Sequence, residues 1–152
     1  EHTRYRYYVT DSFNENIAVD RVTREQLAGD VLPEASPQTR IASGYSRLLM
    51  TTREGGAQKK EYLAKYASDR VRNASSVWMA STMGCAECHD HKFDEFTMKD
   101  FYSFASFFAD IKETAVGAQA PTAMPSRTQL REIAELDSSA AEVRKSLDAQ
   151  TP

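Results

Sequence analysis

Apolar positions along this chain recur at intervals of three and four residues, the period of an amphipathic helix. No stretch of strict alternation is long enough to propose a sheet. Residues 4–15 predict a first helical segment, with Tyr5, Tyr8 and Phe13 as buried positions. Thr23-Arg24-Glu25-Gln26 has the spacing of a capping box and predicts a short helix through Leu27 and Ala28, ended by Gly29 and Pro33. Ser36-Pro37 reads as an N-cap followed by proline at the first helical position, with Ile41, Tyr45, Leu48 and Leu49 at roughly helical spacing behind it. Gly55-Gly56 breaks the chain. From 57 to 82 the stripe Leu63, Tyr66, Val71, Ala74, Val77 and Trp78, widened by Ala67, predicts a long helix. Thr97 through Asp100 caps an aromatic helix in which Phe101, Phe104, Ala105 and Phe108 share one face, flanked by Tyr102 and Phe107.

Residues 112–125 change character: small side chains, Gly117, Pro121 and Pro125 predict a loop. Ser126-Arg127-Thr128-Gln129 then fits a third capping box, and Leu130, Ile133, Leu136, Ala140, Val143 and Leu147 trace a narrow seam on an otherwise polar helix. A stripe this narrow suits a partner helix better than a broad core. Two readings stand. The helix lies exposed on the domain, or it is half of a coiled coil whose partner is in missing sequence or another chain.

Composition bounds the class without changing that picture. At 152 residues there is room for one domain, or one domain with an appendage. A chain of this length can bury a core without disulfides. Hydrophobic residues make up 41% and charged residues 27%, as in an ordinary soluble protein. The net charge of −3 argues against a nucleic-acid or anionic-membrane binder. No apolar run approaches the ~20 residues of a membrane span. The opening Glu1-His2-Thr3-Arg4, with neither an initiator Met nor a signal peptide, is expected of a piece processed or excised from something longer.

Candidate chemistry lies in the two cysteines. Cys85-Ala86-Glu87-Cys88-His89 is C-x-x-C-H, the attachment motif for haem in c-type cytochromes. Two thiols three positions apart on one turn reach the two vinyl groups of one porphyrin edge, and the His that follows is delivered beneath the iron. A redox dithiol is a rival, but no strand pattern precedes the motif as it does in thioredoxin-like units. Zinc on Cys85, Cys88, His89 and His91 is another, but four ligands within seven residues crowd a tetrahedron. Trp78, Met79, Met83, Phe93, Phe96, Phe101, Phe104 and Phe108 lie within about two helices of the motif and offer the apolar shell a haem needs. Singly, each is ordinary core.

The sixth iron position decides what such a group does, with His89 as the proximal ligand. His91, two residues on, points to another side and is expected to bond a propionate, or to cap a neighbouring helix with Asp90 or Asp94. Met79 and Met83 have little slack to cross the ring. Met98 is expected in the core, and Met50 as filling on an apolar helical face. Met124 stands apart in Pro121-Thr122-Ala123-Met124-Pro125, which resembles the methionine loop of small bacterial cytochromes c. The alternatives are that Met124 only anchors its loop and that His2, Met50 or no protein group takes the position.

The motifs in order resemble a family. Phe13-Asn14-Glu15-Asn16, Glu25-Gln26-Leu27-Ala28-Gly29-Asp30, Glu54-Gly55-Gly56, Asp69-Arg70-Val71, Gly84 through Asp94 around the cysteines, and Phe101-Tyr102-Ser103-Phe104 carry the resemblance over residues 4–112. The segment is similar to the C-terminal half of the planctomycete secreted cytochrome-associated domain, a domain of unknown function from large secreted proteins. There it often accompanies a separate cytochrome c-like domain. One departure is Glu95, where the family pattern has proline after the aspartate, which loosens the loop behind the motif. The resemblance implies haem and a compartment outside the cytoplasm, not a reaction. Among the recurrent elements, Glu54-Gly55-Gly56 reads first as a turn that glycine permits. Asp69-Arg70, in the middle of a long helix, reads first as a buried ion pair with neighbours rather than a catalytic pair. Arg70 is also the best candidate for a haem propionate, because a guanidinium engages a carboxylate with two bonds.

The expected architecture is therefore all-α: a cytochrome c-like helical haem-c-binding domain over residues 1–112, a Pro/Gly loop over 113–125, and an amphipathic C-terminal helix over 126–152. The expected cofactor is one covalent haem c, on Cys85, Cys88 and His89, with Met124 as distal ligand and Arg70 and Trp78 beside the ring. The expected function is one-electron transfer in the periplasm or outside the cell. Its partner would be a redox protein or neighbouring domains of a larger chain, with helix–helix association through 130–147, no nucleic acid and no membrane span. Two alternatives remain: a five-coordinate haem that binds peroxide, oxygen or nitric oxide beside Met50, Tyr66 or Glu54, and an interaction module that haem merely stabilises.

Overall fold

Three helices start where short side chains close reciprocal hydrogen bonds with the backbone. Ser36 Oγ accepts from the Thr39 amide at 3.2 Å, and the Ser36 amide donates to Thr39 Oγ1 at 2.9 Å. Thr97 with Asp100 and Ser126 with Gln129 repeat the device. Each satisfies two of the amides a helix N-terminus leaves unpaired. The computed structural model describes residues 2–149, the side chains of His2 and Arg127 excepted. It contains six α-helices: α1 (His2–Asn14), α2 (Val19–Ala28), α3 (Pro37–Ala42), α4 (Lys59–Trp78), α5 (Met98–Ser106) and α6 (Arg127–Asp148). Two 3-10 turns, Ser43–Arg47 and Met83–Glu87, complete an all-α fold with no strand among the described residues.

The expected box at Thr23 is not a helix start. Helix α2 begins four residues earlier, at Val19, and Thr23 Oγ1 donates to the Val19 carbonyl inside it at 2.8 Å. A threonine within a helix bonds backward in this way, so the S/T-x-x-E/Q spacing alone did not locate the end. Gly29, which follows α2, is needed for close approach: a Cβ there would stand 2.1 Å from the Thr39 carbonyl oxygen. Helices α1, α2 and α3 pack together with the Ser43–Arg47 turn. On α1 the buried positions are Tyr8 and Ser12, whereas Phe13 is exposed, contrary to expectation. The Tyr8 hydroxyl donates to buried Glu25 at 2.8 Å, Arg21 Nε donates to the same carboxylate at 2.8 Å, and the Tyr5 hydroxyl donates to Gln26. The Glu25-Gln26 element thus ties α2 to α1.

Helices α4 and α5 enclose the Met83–Glu87 turn. Val71, Ala74, Met83, Ala86, Phe101 and Phe108 form the core there, with Leu27, Trp78, Phe96, Phe104, Ala105 and Ile111 packed against it. Burial of a Val or Phe in such a core stabilises by about 1.5–3 kcal/mol each. The chain after α5 is anchored rather than loose. Arg70, on α4, donates from both terminal nitrogens to Glu113, at 2.8 and 2.6 Å, and from Nε to the Ser46 carbonyl at 2.9 Å. The Tyr66 hydroxyl donates to the Ala115 carbonyl and accepts from the Thr52 amide, next to a single β-bridge between Thr52 and Val116. These bonds carry the first compact unit past residue 112, to Pro121; Thr122–Pro152 forms the second. Among the described residues no helix is long and apolar enough to cross a membrane.

Candidate functional site

Helix α4 ends at Trp78, whose ring meets Tyr45 edge-on with centroids 4.9 Å apart. The Ser75 carbonyl then takes both the Met79 and Ser81 amides, and Ala80 adopts a left-handed φ of 49°, so the chain turns back. It enters the 3-10 turn that holds the C-x-x-C-H run. In a 3-10 helix, side chains three apart eclipse. Met83 and Ala86 therefore share the inner side and are buried, while Cys85 in the turn and Cys88 at its C-cap are both exposed free thiols. The Cys85 carbonyl accepts the amides of Cys88 and His89 at 3.3 and 3.4 Å, closing the turn around the motif.

Glu87, between the cysteines, fastens this turn to the helices on either side. Its carboxylate accepts from Ser68 Oγ at 2.9 Å and pairs with Arg72, both on α4. Its backbone carbonyl accepts from the Tyr102 hydroxyl of α5 at 3.0 Å. Arg72 also lies across Gly84, where a Cβ would come within 3.2 Å of Arg72 Nε. The anchoring role of Glu87 was not legible in the sequence. Its partners are 15 and 19 residues away on one side and 15 on the other, and no local spacing marks them.

The two histidines are held in opposite tautomers. His89 is exposed, and its Nδ1 lies 2.8 Å from the Asp90 carbonyl. A carbonyl only accepts, so Nδ1 carries a proton, and in the neutral ring Nε2 keeps the lone pair. The His91 ring is nearly buried, and its Nδ1 accepts the amides of Asp94 at 2.9 Å and Phe93 at 3.3 Å. Amides only donate, so the proton of His91 sits on Nε2 and neither nitrogen offers a lone pair to a metal. His91 also donates its amide to the Phe96 carbonyl at 2.8 Å, so it closes its own loop rather than capping a helix. Asp90 and Asp100 serve the helix start instead. Asp90 Oδ1 accepts the Met98 amide, and Asp100 is held below the ordinary carboxylate range by bonds from the Thr97 side chain and backbone. Both place negative charge at the N-terminus of α5, where the helix dipole favours it.

The remaining expected site residues are dispersed. Arg70, expected to hold a propionate, has its guanidinium engaged by Glu113 and Ser46. Trp78 is half-buried against the core. Phe96 and Phe104 are half-buried, but Phe93, Met79 and Met98 are exposed, so the expectation that Met98 packs in the core does not hold. Met50, expected as filling, is 94% exposed in irregular chain after the Ser43–Arg47 turn. The Tyr66 hydroxyl is committed to Ala115 and Thr52, and Glu54 lies exposed before the Gly55-Gly56 turn, in which Gly56 has φ 86°. Met124 is half-buried in the second compact unit. The His2 side chain lies outside the described residues. Among those residues no three His, Cys, Asp or Glu side chains converge as a metal site. The motif presents two exposed thiols and an exposed imidazole, groups that would suit a covalently tethered porphyrin.

No curated protein and no solved structure matches the chain. A family model does, over residues 1–113, the span that contains α1 through α5, the cysteine motif and the Arg70–Glu113 clamp. The chain belongs to that family, PSCyt2, described as a protein of unknown function (DUF1549).

Proposed function

We propose that Cys85 and Cys88 carry one covalent haem c, with His89 as its axial ligand, and that the protein works in one-electron transfer. The observation that carries this reading is the exposed edge of the Met83–Glu87 turn. Two exposed thiols, Cys85 in the turn and Cys88 at its C-cap, are followed by an exposed imidazole whose Nδ1–H is tied to the Asp90 carbonyl, which leaves Nε2 to bind. A ligating histidine is commonly oriented through its other nitrogen in this way. Glu87, held by Ser68, Arg72 and Tyr102, keeps the turn in place so that both thiols and the ring are presented together. When bound, the haem supplies an iron centre that gains and loses one electron.

Met124 would supply the second iron ligand in this proposal. Pro121 and Pro125 restrict the backbone on either side, so the loop would lose little entropy when the thioether binds. The small-molecule-binding alternative draws no support from its named residues, since Met50 and Glu54 are exposed and the Tyr66 hydroxyl is already paired. Haem is attached to such motifs outside the cytoplasm, so a periplasmic or secreted setting belongs to the same proposal. The partner is a redox protein or a neighbouring domain of a larger chain.

The test is the protein produced with haem-attachment machinery. Its intact mass should exceed the polypeptide by one haem that survives acid–acetone extraction. Met124→Ala should retain that mass, lose the weak red band of the oxidised form and bind carbon monoxide. Freely reactive thiols or bound zinc would overturn haem attachment. Ready carbon monoxide binding by the wild type, unchanged in Met124→Ala, would overturn electron transfer and favour a five-coordinate site.

A further inference from the structure

Helix α6 carries an apolar seam with a heptad register and a charge pattern that selects one partner arrangement. Ile133, Ala140 and Leu147 fall at a, and Leu136 and Val143 at d. Ile133, Leu136, Val143 and Leu147 are all exposed. We propose that this seam is covered by α6 of a second copy of the chain, in an antiparallel coiled coil. This inference is independent of haem binding.

The flanking charges distinguish the two arrangements. The e positions carry Leu130, Asp137 and Arg144, and the g positions Glu132, Ser139 and Ser146. In a parallel pair, g of one helix faces e of the other. That would set Glu132 against the second copy's Asp137, twice, and leave Arg144 opposite serine. In an antiparallel pair, e faces e and g faces g. The register that stacks Leu136 on Leu147, and Ala140 on Val143, brings Asp137 of each copy to Arg144 of the other. The g flank then pairs serine with serine. Like charges across such a flank are destabilising and opposite charges favourable, so the pattern disfavours the parallel form. Within one helix, Asp137 and Arg144 are seven residues, about 10 Å, apart along the axis, too far to satisfy each other.

The experiment is sedimentation equilibrium of the full chain from micromolar to near-millimolar concentration, with far-UV circular dichroism to check that variants stay helical. The wild type should populate dimers. Asp137→Arg should weaken them about tenfold, as two flank pairs turn from attraction to repulsion. Adding Arg144→Asp to that variant should restore the wild-type constant. Glu135→Lys, at an outward c position, should change little, and Leu136→Asp should abolish association. A wild type that stays monomeric throughout would overturn the proposal, as would a trimer or tetramer. Tighter association of Asp137→Arg would show a parallel pair and overturn the antiparallel register.

Discussion

Replacing Glu113 with alanine should uncouple the end of the family region from the helix that supports it. The wild-type pair is buried on both sides, with Arg70 and Glu113 side chains 5% and 10% exposed, and two short hydrogen bonds join them. Solvent screening is therefore slight. Removing the carboxylate leaves a guanidinium buried with only the Ser46 carbonyl, and breaking such a pair costs about 3–5 kcal/mol. For a unit that spans Glu1–Pro121, a loss of about 3 kcal/mol lowers the melting temperature by roughly 12 °C, taking about 2.1 cal/mol/K per residue. Because that is a large part of a typical domain's stability, Glu113→Gln, which keeps one acceptor oxygen, serves as a milder step. The double variant Arg70→Met/Glu113→Leu should recover most of the loss, since the cost lies in the unpaired charge. The Ser46 carbonyl would still lack its donor, worth about 1 kcal/mol. Urea unfolding followed at Trp78 reads this directly. Trp78 is the sole tryptophan and packs on the core of the first unit, so α6 contributes nothing to the signal. A Glu113→Ala variant within about 0.5 kcal/mol of wild type would refute the clamp. If Arg70→Lys strips haem while Glu113→Ala is silent, the guanidinium serves a propionate after all.

Further outcomes follow from single side chains. His91→Ala should leave the iron spectrum unchanged and cost about 1–2 kcal/mol, because the Phe93 and Asp94 amides lose their acceptor, whereas His89→Ala should abolish the normal haem spectrum with little effect on stability; a changed spin state in His91→Ala at neutral pH would contradict the tautomers. The Tyr8 hydroxyl is pushed up from 10.0 to about 12, by burial first and then by its bond to Glu25. Its contribution is complete below the ordinary tyrosine range and is lost as pH rises through about 12. Tyr8→Phe should flatten that alkaline decline in a pH series of urea midpoints, without removing it, since burial also raises Tyr5 and Tyr45. An undiminished slope would show that Tyr8 does not carry it.

Legible in the chain alone were the features built from neighbours three and four residues apart. The capping pairs Ser36–Thr39, Thr97–Asp100 and Ser126–Gln129 and the Phe101 face of α5 are all local, as are Tyr66, Val71 and Ala74 on the α4 stripe, whereas Leu63 and Val77, expected on that stripe, are exposed. The cysteine motif was legible for the same reason, because a tether to one ring edge demands a fixed short spacing. Where local patterns are ambiguous, they misled. Thr23 has the spacing of a cap but lies inside a helix that had already begun. Phe13 and Met50 are apolar but exposed, since hydrophobicity says that a side chain can be buried and not which face the neighbours cover. Tertiary packing decided the rest. Arg70 meets Glu113 across 43 residues and Tyr66 meets Ala115 across 49, and no local spacing marks either pair. The contrast between His89 and His91 arose the same way. Two rings of one residue type, two positions apart, became one accessible lone pair and one loop closure because the folded backbone offers a carbonyl to the first and amides to the second.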